Sequence, residues 1–223
     1  MEIKTGKEVI DIEIKALELL KSSISQQFVK VIKLLHNNKG KICISGIGKS
    51  GHVATKIAST LASVGSPSFF IHPSEANHGD LGMLEKRDCI ILISNSGETS
   101  ELINLILHCK KLKIPIISIT SEVTSTLAKE SDFNLLIPKN IEACPLELAP
   151  TSSTTCMLAL GDAIAVTLLK KKSFSKKDFH ALHPGGKLGQ ILLQVKDLMK
   201  TKKSIPIAAI NQRVSEAILE MSS

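Results

Sequence analysis

From Gly6 to His36 the chain has no proline and, after Gly6, no glycine, and Ile10, Ile14, Leu17, Ile24, Phe28, Val31 and Leu35 recur at helical steps, with only Lys21 out of place. That spacing predicts a long helix or a helix pair carrying one apolar stripe, ended by Asn37, Asn38 and Gly40. A stripe of this breadth implies docking on the core or on a partner subunit. The pattern then changes to short, nearly all-apolar runs at Lys41–Ser45, Ser68–Ile71, Asp88–Ser94, Pro115–Thr120 and Phe133–Ile137. Such runs read as strands covered on both faces. Between them, Ser50–Val64 and Thr99–Leu112 carry apolar residues at helical spacing. Strand, helix, strand at these intervals is the grammar of a doubly wound, five-stranded parallel α/β sheet flanked by helices.

Thr151–Lys172 reads as a further apolar helix that ends in three lysines, cations suited to a helix C-terminus. Its apolar stretch from Met157 to Leu169 is interrupted by Gly161 and Asp162 and is short for a bilayer span. The last part, Val195–Ser223, ends in a helix-like segment that looks unfinished. The expected organisation is a helical segment over residues 1–40, a main domain over 41–194 and a partial module over 195–223.

With 43% apolar and 22% charged residues, the 223-residue chain has a globular composition. Its net charge of +7 suits anionic ligands, but six Phe, without Trp or Tyr, offer few stacking platforms, so nucleic acid is a weak expectation. Cys43, Cys89, Cys109, Cys144 and Cys156 form no C-x-x-C pair and read as buried thiols of a reducing compartment. The N-terminal residues alternate charges with aliphatics, unlike a signal peptide. A cytoplasmic protein that does not enter the membrane is expected.

In a doubly wound sheet, ligands bind at the carboxyl ends of the strands. The first strand leads into Gly46-Ile47-Gly48-Lys49-Ser50-Gly51, which satisfies G-x-G-x-x-G. A dinucleotide site would need an acidic residue at the end of the second strand, where Ile71-His72-Pro73 stands, and a Walker loop would need Gly at position 43, which is Cys. What survives is a set of backbone amides, a hydroxyl and Lys49 at a helix start, suited to a phosphorylated small molecule. The third strand empties into Ser94-Asn95-Ser96-Gly97-Glu98-Thr99-Ser100-Glu101. These hydroxyls could form an ordinary helix cap, but so many donors at one strand end favour anion binding.

Glu101, expected one turn inside the next helix, would face the same crevice. Glu142, before Ala143-Cys144-Pro145 and the hydroxyl-rich run Thr151-Ser152-Ser153-Thr154-Thr155, adds a second carboxylate. Two carboxylates and a lysine beside a phosphate site are equipment for moving protons. His72, His78 and Asp80 could ligate a metal, although their spacing matches no standard site and hydrogen-bonded loop histidines explain the pattern as well. His183, before Pro184-Gly185-Gly186, either caps a turn or reaches into an active site.

The ordered set Gly46-Ile47-Gly48-Lys49-Ser50-Gly51-His52, Ser94-Asn95-Ser96-Gly97-Glu98, Glu142-Ala143-Cys144-Pro145, Leu148–Thr155 and His183-Pro184-Gly185-Gly186 closely resembles the arabinose-5-phosphate isomerases of the sugar isomerase (SIS) domain family. The resemblance covers about residues 5–195. It implies a flavodoxin-like fold, a homotetramer, no cofactor, and interconversion of D-ribulose 5-phosphate with D-arabinose 5-phosphate through an enediol, the aldose then feeding Kdo synthesis for lipopolysaccharide. Carried over by motif, the catalytic group is Lys49, Glu101, Glu142 and His183, the histidine acting across a subunit interface. The substrate contacts are Gly48, Ser50, Ser94, Asn95, Ser96, Thr99 and Ser153. Residues 195–221 resemble the beginning of a CBS module. Two alternatives stay open: a non-catalytic sugar-phosphate sensor, since SIS domains also serve transcription regulators, and isomerisation of another ketose phosphate.

Overall fold

The computed structural model describes residues 1–139, 142–183, 195, 199–201, 205 and 207–222. These fall into two compact units, Met1–Leu182 and His183–Ser223. The first begins with helices α1 (Glu2–Ser23) and α2 (Gln26–Asn37). It continues with β1 (Ile42–Gly46), α3 (Gly48–Ser63), β2 (Ser68–Ile71), the single turn α4 (Pro73–Ala76), β3 (Cys89–Ile93) and α5 (Ile103–Leu112). Then follow β4 (Ile116–Thr120), α6 (Thr126–Glu130), β5 (Phe133–Leu136), α7 (Ser152–Lys171) and α8 (Lys176–Leu182). In the second unit the described residues include one helix, α9 (Val214–Ser222). The expected boundary at 194/195 borders residues 184–194, outside the described set.

The five strands form one sheet of order β2-β1-β3-β4-β5 in which all neighbours run parallel, as the apolar runs predict. Successive side chains of a strand point to opposite faces, so each all-apolar strand feeds two cores at once. In β3, Cys89, Ile91 and Ile93 join the core beneath α1, α2, α3 and α7, whereas Ile90 and Leu92 join the one beneath α4, α5 and α6. On the first face Gly161 of α7 presses against Ile57 of α3, leaving no room for a Cβ between the helices.

The N-terminal stripe is a helix pair whose two halves do not share one face. Ser22 and Ser23 turn their hydroxyls back onto the carbonyls of Glu18 and Leu20, and Ser25 is extended (φ −135°, ψ −171°), so the helix stops and restarts there. The break resets the phase. α1 buries Ala16 and Leu20, and α2 buries Val31, Ile32 and Leu35. Ile10 and Ile14 of the expected stripe are 58% and 47% exposed.

α7 is long and apolar enough to cross a membrane by length and composition, contrary to the sequence expectation. In this fold it is a core helix, with Cys156, Met157, Leu160, Ile164, Ala165 and Leu168 buried. Four of the cysteines are buried as expected, but Cys144 is only half-buried, because it lies on the loop before α7 rather than on a strand or helix face.

Candidate active site

The strand order reverses between β1 and β3: the crossover from β1 runs out to β2, while β3 begins the walk through β4 to β5. Loops leaving β1 and β3 therefore diverge and open a crevice at their carboxyl ends. The glycines of the first loop set its wall. A Cβ on Gly51 would lie 2.7 Å from the carbonyl oxygen of Gly46, so α3 can start this close to β1 only with glycine there. Gly48 adopts φ +58°, a left-handed conformation that turns the chain straight from strand to helix. Lys49 is exposed at this start, and Ser50 places its hydroxyl 3.8 Å from the Met157 sulfur.

The loop after β3 is organised by its own hydroxyls. Buried Ser94 sets its Oγ 2.7 Å from Thr99 Oγ1 and accepts the Gly97 N–H at 3.0 Å, and Ser96 Oγ accepts the Glu98 N–H at 3.3 Å. Thr120 Oγ1, Ser121 Oγ and the Ser121 N–H all donate to the Asn95 carbonyl at 2.9–3.0 Å, stapling the loop to the end of β4. Glu98 Oε1 accepts the Thr126 N–H at 2.7 Å, and its carboxyl is held below its usual range mainly by hydrogen bonding from Thr126. Ser94 is thus committed to shaping the loop, while exposed Asn95 and Ser96 present polar groups to solvent.

Glu142 faces this loop from the other side. A single oxygen, Oε2, accepts the Thr151 N–H at 2.6 Å, the Thr151 hydroxyl at 3.0 Å and the Ser153 N–H at 3.3 Å, at the otherwise unpaired first turn of α7. The other oxygen, Oε1, accepts no hydrogen bond among the described residues. Burial acts to raise this carboxyl's pKa, but the Ser153 and Thr151 groups around it outweigh burial and hold it below its ordinary value. Glu142 is therefore ionised at neutral pH. Ser153 is 4% exposed, and its side chain stands beside the Glu142 carboxylate at the cleft wall.

These parts line two adjoining chambers of about 440 and about 380 Å³ that share Asn95, Ser96, Glu142, Glu147 and Ser153. The second adds Lys49, Ser50, Ser94 and Thr99. Gly48 stands immediately before Lys49 in the chain but lines neither chamber. Of the residues singled out from the sequence, the structure thus gathers one lysine, Lys49, one carboxylate, Glu142, and two hydroxyl-bearing loops at the switch point.

Glu101 does not share in this. It lies in a single 3-10 turn, Ser100–Leu102, rather than one turn inside an α-helix, and is exposed outside the chamber walls with its Oε2 accepting the Ser100 hydroxyl at 3.1 Å. The serine-rich loop carries the chain past the sheet edge before α5 can begin. His183 opens the second unit, and Pro184-Gly185-Gly186 lie outside the described residues. His72 uses its Nδ1 to accept the Ser74 N–H at 3.2 Å as the cap of α4, and His78 is exposed. Among the described residues no three His, Cys, Asp or Glu side chains cluster as a metal would require.

Three charged lining residues were missed from the sequence. Glu122 and Lys139 pair at 3.1 Å on the rim of the first chamber, and the Glu122 carboxyl is held down to about 2 by hydrogen bonds from Thr124 and Lys139. The rule that ligands sit at strand ends points to Glu122, which follows β4 by two residues. Glu147 sits at φ +53°, left-handed for a residue with a side chain, and lines both chambers. Nothing local in the sequence signals it.

The family model described as "SIS domain" matches residues 34–167. The chain is 49% identical to "Arabinose 5-phosphate isomerase KdsD" of Francisella tularensis, over 99% of this chain and 68% of that protein, which extends further. The E. coli CFT073 protein c3406, solved in complex with arabinose 5-phosphate, superposes with a TM-score of 0.79 at 44% identity, over 82% of this chain and 97% of that one. The Vibrio vulnificus NanR protein complexed with ManNAc-6P shares the fold at 20% identity and a TM-score of 0.66, covering 79% of this chain and 66% of that one. With its sheet order, its switch-point cleft and these similarities together, the chain belongs to the SIS domain family.

Proposed function

We propose that the chain is an arabinose-5-phosphate isomerase, interconverting D-arabinose 5-phosphate and D-ribulose 5-phosphate and supplying the aldose for Kdo synthesis. One observation carries the reading. Glu142 spends one carboxylate oxygen on the first turn of α7 and keeps the other uncommitted, among the described residues, in a cleft walled by Lys49 and the Ser94–Thr99 loop. A fixed, ionised carboxylate beside donors for a phosphate is what a proton shift on a phosphosugar needs. The arabinose 5-phosphate held by the E. coli relative fits that equipment.

In the ketose-to-aldose direction, Glu142 takes a proton from C1 and the C–H electrons flow into the C2 carbonyl, giving an enediolate. The Lys49 ammonium stabilises the developing oxygen charge, and the protonated Glu142 returns the proton to C2. One hydroxyl proton moves between O1 and O2, so the step is redox-neutral and calls for no cofactor. The Asn95, Ser96, Thr99 and Ser153 groups hold the phosphate, with Gly48 and Ser50 alongside and Ser94 shaping the loop. Remote binding of that group positions C1 and C2. Glu101, outside the chamber walls, has no part in this step, and His183 assists ring opening of the aldose from a neighbouring subunit of a homotetramer. An exposed apolar row on α1, Ile3, Ile10 and Ile14, supports assembly, as a face that a second copy would cover. The largely buried thiols, none of them in a disulfide, support a reducing, cytoplasmic location.

The test incubates the purified chain with D-arabinose 5-phosphate in chelator and follows ketose formation, beside Glu142→Gln. Rapid conversion that disappears in the variant is expected. A folded, assembled protein that leaves arabinose 5-phosphate unchanged overturns the reading.

A further inference from the structure

At the opposite end of the sheet, where β3, β4 and β5 begin and α2 and α5 end, lies a second groove of about 670 Å³. Its rim carries Lys30, Lys33, Lys39, Lys86, Arg87 and Lys113, all exposed. Among the described residues one carboxylate, Asp88, lines it, while Glu130 and Asp132 line the adjoining groove that shares Lys113 and the apolar residues, Glu130 paired with Lys110 and Asp132 accepting the Ile116 N–H at 2.8 Å. Asp88 is 2% exposed and spent on the protein itself, accepting the Lys41 N–H at 2.7 Å and the Glu85 N–H at 2.9 Å. Arg87 meets Glu85 at 3.0 Å, and the five lysines have no ion-pair partner among the described residues. Leu34, Pro115 and Phe133 give the groove an apolar wall.

Cations do gather at helix C-termini to offset the dipole, and that accounts for Lys39 and Lys113, which closely follow α2 and α5. It does not account for the others. Lys30 and Lys33 lie in the middle of α2, and Lys86 and Arg87 sit on the loop before β3. Lys113 also holds φ +59° as the cap of α5, a position where glycine or asparagine is the usual residue. Six like charges facing one cavity repel one another, and an anion of several charges relieves that repulsion at every member. The groove is wide open to solvent, and its volume is that of a small-molecule site rather than of an extended track.

We propose that this groove binds a small polyphosphate ligand, its phosphate chain on the lysine and arginine rim and any flat apolar group it carries against Leu34, Pro115 and Phe133. The site is separate from the switch-point cleft and does not depend on the isomerase reading. Inorganic tripolyphosphate and a nucleoside triphosphate share the chemistry, and the apolar wall favours the second.

Calorimetric titration of the whole chain with tripolyphosphate and with ATP, both in chelator at low salt, tests this. Saturable one-to-one binding is expected, weakening at least about tenfold on raising salt from about 50 to about 200 mM. The double variant Lys33→Glu with Arg87→Glu should weaken it at least about tenfold more while leaving arabinose 5-phosphate turnover and melting temperature unchanged. Lys113→Asn, which tolerates the left-handed backbone, should weaken it severalfold and guards against a folding artefact. Equal affinity for the two probes assigns the rim alone, and tighter ATP assigns the wall as well. Four results overturn the proposal: no saturable binding by either probe, binding untouched by the charge reversals, binding displaced by arabinose 5-phosphate, and tighter binding of a twelve-nucleotide single strand than of ATP, which marks a nucleic-acid surface.

Discussion

Replacing Glu142 by Gln and by Ala separates its two jobs, because all of its hydrogen bonds among the described residues converge on Oε2. A glutamine can set its carbonyl oxygen where Oε2 lies, keep the Thr151 and Ser153 bonds as neutral ones, and turn its NH2 into the cleft. Charge-assisted bonds are worth roughly twice neutral ones, so this half-buried site should lose about 1 kcal/mol. In a protein of this size that is about 2–4 °C in Tm. Alanine removes the acceptor altogether and leaves two N–H groups of α7 to water, at about 2–3 kcal/mol, or roughly twice the shift in Tm. Catalysis should rank them differently, since neither variant keeps a base: both should lose on the order of 10²–10⁴-fold in kcat. Thermal melts and ketose formation on the same samples make the comparison. A Gln variant within about tenfold of wild-type turnover, or one as unstable as the Ala variant, refutes the assignment of one oxygen to the fold and the other to the chemistry. Because the folded carboxyl titrates below its unfolded value, its stabilisation is present above the unfolded pKa and is lost as pH falls through the folded one. The stability gap between wild type and Gln variant should therefore close on acidification.

Gly97→Ala should cost about 2–4 kcal/mol and most of the substrate affinity, because φ is +69° and a Cβ there would collide with Ser125, whose Oγ caps α6. A melt and a KM measurement check it, and an unchanged KM would refute the loop's role. Glu147→Gly should relieve the left-handed backbone and lower KM severalfold with kcat held, since a carboxylate leaves a cleft that receives a phosphate; steady-state kinetics decides, and a raised KM would give Glu147 a binding role instead. Brief alkylation near pH 8 followed by mass mapping should label Cys144 first, because backbone N–H groups of Ala149, Leu146 and Leu148 hold its thiol below the usual value. Burial pushes Cys89 and Cys109 up to about 12 and Cys43 upward as well, so these thiols should stay unmodified until the protein unfolds.

What could be read along the chain was what short-range physics controls. Nearly all-apolar runs read as strands, fully buried in β1, β3 and β4 and partly exposed at the edges β2 and β5, and the five of them placed the sheet to within a residue or two at each end. Glycines and hydroxyls at strand ends marked two of the cleft's walls, because tight turns and helix starts demand those residue types locally. The tertiary structure decided what depends on distant contacts. The apolar row on α1 follows helical spacing, yet whether Ile10 and Ile14 are covered depends on where a serine break points the next helix. Glu142 reads as an ordinary loop acid until α7 brings its first N–H groups to one of its oxygens, and Glu101 reads as a helix residue until the loop proves too long to start the helix there. Glu122, Lys139 and Glu147 come from loops with no shared motif and meet only because the parallel strands end on one side. Periodicity records which face a residue takes on its own element, while a site is made by which elements the chain brings together.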